Sequence, residues 1–130
     1  MINKNAEIRR KKREEIIQKL YEVDINGGVL ETKIDDEYIS ASINGVLEEL
    51  ETIDRKIKES LQKWTIERLT YVDRAIIRFA TYELIFTSLP SEIIINEALV
   101  LTRKFSDEGN NKMVGFTNKV LDNIKIALSR

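Results

Sequence analysis

A chain of 130 residues, 33% charged and 42% hydrophobic, is the size of one soluble domain and can bury roughly two-thirds of its unfolded surface. It contains no cysteine and no histidine. That excludes disulfides, thiolate zinc sites and nucleophilic centres that depend on an imidazole base. The net charge of −1 hides an asymmetry: residues 1–13 hold Lys4, Arg9, Arg10, Lys11, Lys12 and Arg13 against Glu7 alone, leaving +5 there and −6 on the rest. A basic arm on a mildly acidic body points to a polyanionic partner. No apolar run approaches the ~20 residues of a membrane span. The start has no apolar signal core either, so the chain reads as cytoplasmic, with no membrane partner.

One proline and five glycines favour long helices. The first helix is expected from about Asn5 to Ile25, stopped by Asn26-Gly27-Gly28. Its seam is Ile16, Ile17, Leu20 and Val23. Continued backward, the seam meets Arg9 and Arg13, so the first half of the helix should project past the core. Tyr21 sits at the seam's edge, where a tyrosine keeps its hydroxyl wet.

Residues 29–34 read as a loop, and Asp35 or Asp36 as the cap of a second helix with the seam Ile39, Ile43, Val46, Leu47 and Leu50. Gly45 within it costs about 1 kcal/mol relative to alanine, or permits a close crossing. Thr52 is expected to cap a third helix carrying Ile53, Ile57, Leu61 and Trp64. Residues 65–69 form an irregular turn.

Thr70 with Asp73 then starts a central helix ending near Phe86. It is apolar nearly all round, the mark of a buried helix, with Arg74, Arg78 and Thr81 as a narrow polar stripe. Glu83 falls in the middle of its widest apolar face and near its C-terminus, where a negative charge is disfavoured. Past Pro90, a fifth helix places Ile94, Ala98, Leu101 and Phe105 on one side. After the loop 106–111, a last helix puts Met113, Phe116, Val120, Ile124 and Ala127 on one face. The fold class is all-α, six or seven helices with short connections.

Chemistry is sparse. Gly27-Gly28 follows a helix and is a terminator, not a phosphate loop. The acidic runs Asp35-Asp36-Glu37 and Glu48-Glu49-Glu51 lie at helix starts or on outer faces, where solvated carboxylates are routine. Residues 107–111 lack the alternating acids of a calcium loop. No catalytic residue, metal site or cofactor is expected. Arg9, Arg10, Lys11, Lys12 and Arg13, by contrast, span more than a helical turn. Four or five phosphate contacts to single-stranded RNA would give a salt slope of about −3 to −3.5.

The motifs in order resemble the NusB family of transcription antitermination factors, over nearly the whole chain. They are Arg9-Arg10-Lys11-Lys12-Arg13-Glu14 continuing to Leu20-Tyr21; Trp64 to Leu84, with Leu69, Val72, Arg78 and Tyr82-Glu83-Leu84; Pro90 followed by Ile95-Asn96-Glu97-Ala98; and Phe105-Ser106-Asp107-Glu108, then Asn118 and Val120-Leu121-Asp122. The resemblance implies a single NusB-like domain with a basic arm over 1–13 and two helical subdomains, about 5–64 and 65–130, around a central buried helix.

It also implies a non-enzymatic factor that binds boxA RNA of nascent ribosomal transcripts. The partners would be a small-subunit ribosomal protein, NusE, and the RNA polymerase antitermination complex; self-association into a homodimer stays open. By position, Arg9, Arg10, Lys11, Lys12 and Arg13 would face RNA, with Lys112 and Asn118 beside them and Asp122 modulating affinity. Tyr21 and Glu83 would hold the ribosomal protein, Glu83 lying at a rim awaiting the partner's donors.

The chain departs from the family pattern in Ile16 and Lys19, which stand where alanines are common, in a longer stretch from Asn110 to Asn118, and in Lys119 for a glycine. Three other readings rank lower. A helical adaptor of the same fold would not read boxA. The NusB-like domain of some ribosomal RNA methyltransferases would need a catalytic domain for which these residues leave no room. A helix-turn-helix DNA binder would carry its charge on a recognition helix and not on a terminal arm.

Overall fold

In the computed structural model, which describes residues 4–62 and 64–130, the described residues form six α-helices and one short 3-10 turn. The helices are α1 (Lys4–Ile25), α2 (Glu37–Glu48), α3 (Leu50–Ser60), α4 (Tyr71–Phe86), α5 (Ser91–Phe105) and α6 (Lys112–Ala127), with the 3-10 turn at Ile66–Arg68. The first three residues of the basic arm lie outside the described residues.

Local chemistry sets most boundaries. The chain leaves α1 through Gly27 and Gly28 at φ of 75° and 96°, and Gly28 N–H donates to Val23 O at 2.8 Å. Residues without a Cβ reach that conformation at no steric cost. Asp36 caps α2 by accepting from Ile39 N–H at 2.9 Å. Thr70 caps α4, accepting from Asp73 N–H at 3.1 Å while its hydroxyl donates to the Asp73 carboxylate at 2.7 Å. Ser106, just past α5, donates to the other Asp73 oxygen and ties that corner to the start of α4.

α4 is packed by α1, α2, α3, α5 and α6. Ala75, Ile76, Ile77, Phe79, Ala80 and Leu84 are buried on it, as its apolar circumference requires. The seam of α1 (Ile16, Ile17, Leu20, Val23) closes on it as expected, as do Ile39, Ile43 and Val46 of α2, whereas Leu47 is half-buried and Leu50 belongs to α3. The polar stripe of α4 does not reach solvent freely. Arg74 meets Asp24 of α1 at 2.7 Å, and Arg78 forks onto Asp54 of α3 at 2.9 and 2.8 Å. At the far end Arg130 donates to Leu84 O at 2.8 Å and to Leu89 O, placing a cation on the free carbonyls of the α4 C-terminus.

Four expectations are corrected. α3 begins at Leu50, with Glu49 and not Thr52 at its cap position, because α2 and α3 are separated by a single turn residue. Trp64 lies beyond α3, exposed, its ring edge-to-face with Phe116 at 5.9 Å. Phe105, at the last position of α5, is exposed and does not share the buried side of Ile94, Ala98 and Leu101. On α6 the buried face is Val114, Thr117, Val120, Leu121 and Ile124; Met113 and Phe116 flank it and Ala127 is exposed.

Gly45 has a tertiary role. A Cβ built there would lie 2.5 Å from the Tyr82 hydroxyl oxygen and 2.7 Å from Cζ, so the Tyr82 ring of α4 fills the space that a side chain at position 45 of α2 would need. Gly45→Ala should therefore destabilise the fold by about 1–3 kcal/mol, although alanine is the better helix former. Urea denaturation measures this, and a stabilised variant would mean that Tyr82 moves aside freely.

Candidate nucleic-acid and partner interface

At about 100° per residue the five cations of the first turns of α1 radiate around the helix. Arg13 falls on the same face as Ile16 and Leu20. Once that face docks, Arg13 must be buried, and it is 7% exposed. Its two terminal nitrogens donate to the two Glu83 oxygens, each at 2.6 Å, and its guanidinium carbon stands 5.3 Å from the Phe79 ring centre.

Glu83 is itself only 2% exposed. Burial pushes its carboxyl pKa up from the ordinary value, against the hydrogen bonds and charge of Arg13. Burial likewise works against the Arg13 charge, but Glu83 outweighs it and raises the guanidinium pKa. Each charge makes the other tolerable, in a fork geometry that suits arginine and carboxylate.

Two expectations change here. Glu83 is not at a rim awaiting a partner's donors; its donor is supplied from within the chain. Arg13 does not project past the core with the rest of the arm. The sequence carried both halves of this pair, Arg13 with Arg9 on the continued seam of one helix and a single anion on the apolar face of another, but not their meeting.

The other cations divide by environment. Arg10 reaches Glu97 at 3.4 Å and Lys12 reaches Asp36 at 2.9 Å, both pairs partly solvated. The hydrogen bond from Ile39 N–H and then the Lys12 contact hold the Asp36 carboxyl below its ordinary pKa. Arg9 and Lys11 are exposed and form no ion pair among the described residues. Arg9 lies on the seam one turn beyond Arg13, where the core has ended. There Arg9, Lys12 and Arg13 line an open groove of about 360 Å³ with Ile8, Tyr38 and Ile93.

Lys112, Asn118 and Asp122 are exposed on α6, Asn118 and Asp122 sharing a face one turn apart. No hydrogen bond or ion pair joins any of the three to the basic turns of α1 among the described residues. Close to Asn118 in sequence, Phe116 packs against Trp64, whose ring also carries the Arg68 guanidinium at 4.8 Å. A pocket of about 270 Å³ opens there, lined in part by Lys119 and Asn123. Sequence reading had placed Trp64 inside a helix and missed this cluster.

Tyr21 is 38% exposed and meets Tyr71 edge-to-face at 6.2 Å. It lines a second groove of about 320 Å³ with Glu14, Gln18, Val72, Lys104 and Phe105. Glu83 is not part of that groove, so the two residues expected to share a partner are not brought to one surface.

Among the described residues there is no group of acidic side chains spaced to hold a metal, and no helix long and apolar enough to cross a membrane. The described residues thus form an all-helical scaffold with exposed cations on one helix and open grooves lined in part by aromatic rings. The NusB family profile matches residues 3–125. Proteins called transcription antitermination protein NusB from Bacillus thuringiensis (strain Al Hakam) and Bacillus anthracis (strain A0248) are each 37% identical over 131 residues, covering 92% of this chain and 98% of theirs.

The T. maritima NusB structure superposes with a TM-score of 0.79 at 32% identity, covering 91% of this chain and 90% of that one. A crystal structure of the antitermination factors NusB and NusE in complex with dsRNA gives a TM-score of 0.77 at 28% identity, covering 92% and 96%. This chain belongs to the NusB family.

Breaking the buried pair from one side should cost far more than removing it whole. Arg13→Ala or Glu83→Ala should lose about 3–5 kcal/mol, whereas Arg13→Met with Glu83→Leu should lose much less, since no charge is then stranded. Chemical denaturation of the three variants checks this; an additive double variant would show that the two side chains do not depend on each other.

Proposed function

We propose that this protein is a cytoplasmic, non-enzymatic transcription antitermination factor. It binds the boxA element of nascent ribosomal RNA leader transcripts together with the small-subunit ribosomal protein NusE, within the RNA polymerase antitermination complex. The observation that carries this reading is the basic turn of α1, where Arg9 and Lys11 stand exposed and without an ion pair among the described residues, on a helix whose later turns are packed into the core. Membership of the NusB family over residues 3–125 supports it, as does the likeness to a NusB bound to NusE and RNA.

In this reading Arg9 and Lys11 meet phosphate directly, and Arg10 and Lys12 join by exchanging Glu97 and Asp36 for phosphate. Lys112, Asn118 and Asp122 make the α6 side of the RNA surface. Tyr21 and its groove face the ribosomal protein, while Glu83 contributes from beneath. The same reading takes the chain as two packed helical subdomains, about 5–64 and 65–130, around α4.

One observation favours the alternative of a helical adaptor that does not read boxA. Arg10, Lys12 and Arg13 already have carboxylate partners, which lowers the charge available for RNA. Binding of boxA RNA and of a scrambled RNA, with and without the ribosomal protein, at two salt concentrations, separates the two. The antitermination reading expects tighter boxA binding with the partner present. Two to four phosphate contacts would set a salt slope between about −1.4 and −2.8. Equal affinity for both RNAs under every condition would leave the adaptor.

A further inference from the structure

We propose that Arg13 does not touch RNA but, with Glu83, pins the basic turns of α1 to α4, so that Glu83 sets RNA affinity from beneath the surface as a positioning residue. This rests on the RNA-binding reading above. From Lys4 to Glu15 every residue of α1 is exposed or half-buried except Arg13. The first three turns of the helix therefore have one buried attachment.

That attachment is strong for its size: two charge-assisted hydrogen bonds of 2.6 Å, closed from solvent and backed by Phe79. The pairs Arg10–Glu97 and Lys12–Asp36 are more exposed. Pairs of that kind contribute little rigidity.

A phosphate that reached Arg13 would have to break both bonds and leave the Glu83 carboxylate buried without a donor. Arg9 and Lys11, one turn and half a turn earlier, offer the same charge with nothing to break. Held by the pin, they are presented in one orientation. Released from it, the terminal turns would fray, and RNA would have to order them at the moment of binding. If only a tenth of molecules kept the arm in place, affinity would fall about tenfold.

The test uses the full chain with boxA RNA, reading affinity and salt slope, and hydrogen exchange of the amides of residues 5–12 without RNA. Glu83→Gln should speed exchange over 5–12 and weaken RNA binding by about tenfold while leaving the slope unchanged, because no phosphate contact is lost. Arg13→Met with Glu83→Leu, an apolar replacement of the pin, should recover most of that loss.

Arg9→Ala with Lys11→Ala should instead lower the slope by about 1.4 without changing exchange over 12–20. The pin is overturned if exchange over 5–12 is unaltered in Glu83→Gln. It is also overturned if the double apolar variant lowers the slope by about 0.7, the value of one direct contact. If the exchange results hold but no variant and no parent chain binds boxA RNA, the RNA reading fails and the mechanical role of the pair stands.

Discussion

A helix packed by five others leaves little of its surface in water, and α4 carries four charged side chains and a threonine, of which Asp73, Thr81 and Glu83 are buried and Arg74 and Arg78 half-buried. Each charge has been met by a neighbour of opposite sign or by a hydroxyl: Asp73 by Thr70 and Ser106, Arg74 by Asp24, Arg78 by Asp54 and Asp24, Glu83 by Arg13. On α4 the Thr81 hydroxyl alone lacks a partner, and the buried Thr117 hydroxyl of α6 is the other such group among the described residues. Desolvating a lone charge costs far more than a hydrophobic contact returns, so these pairings dictate how the surrounding helices are set against α4. Asp24 fixes the C-terminal end of α1 and Arg13 its middle, and Asp54 fixes α3.

The same constraint sorts the basic residues by what they are able to do. A cation near the start of α1 keeps its charge available only if α4 has not claimed it. Arg13 is claimed outright, Arg10 and Lys12 are shared with surface carboxylates, and Arg9 and Lys11 have no ion-pair partner among the described residues. Five basic residues that look alike as a run of letters thus have three energetic standings, set by a few ångströms of depth. Function at the surface and stability in the core meet in one side-chain pair.

Much of the fold was legible. Seven-residue patterns located the seams of α1 and α2, the glycine pair ended α1, and Thr70 with Asp73 opened α4 where expected. These are local signals, and they held because local geometry decides them. The misplaced features all depend on distant residues. Thr52 is a good cap in isolation, but α2 and α3 meet at Glu49 and leave it inside a helix. Trp64 fits a helical seam by spacing, yet Phe116 and Arg68 draw it into a cluster of its own. Arg130 closes the C-terminus of α4 from the other end of the chain, which no window of sequence could propose.

By itself the sequence determined an all-helical chain, the buried character of α4, a basic first helix and the absence of any thiol or imidazole chemistry. Those follow from composition and from the 3.6-residue spacing of apolar residues. It also marked Glu83 as a misfit on its own helix and placed Arg13, with Arg9, where the apolar seam of α1 runs out. Only the tertiary structure decided that one misfit answers the other, because α1 and α4 must dock before a cation and an anion 70 residues apart can close to 2.6 Å. It likewise decided that Gly45 gives its space to the Tyr82 ring and that Arg9 and Lys11 are the cations left over. Such outcomes depend on depth and on pairing across helices, quantities that exist only once the helices have packed.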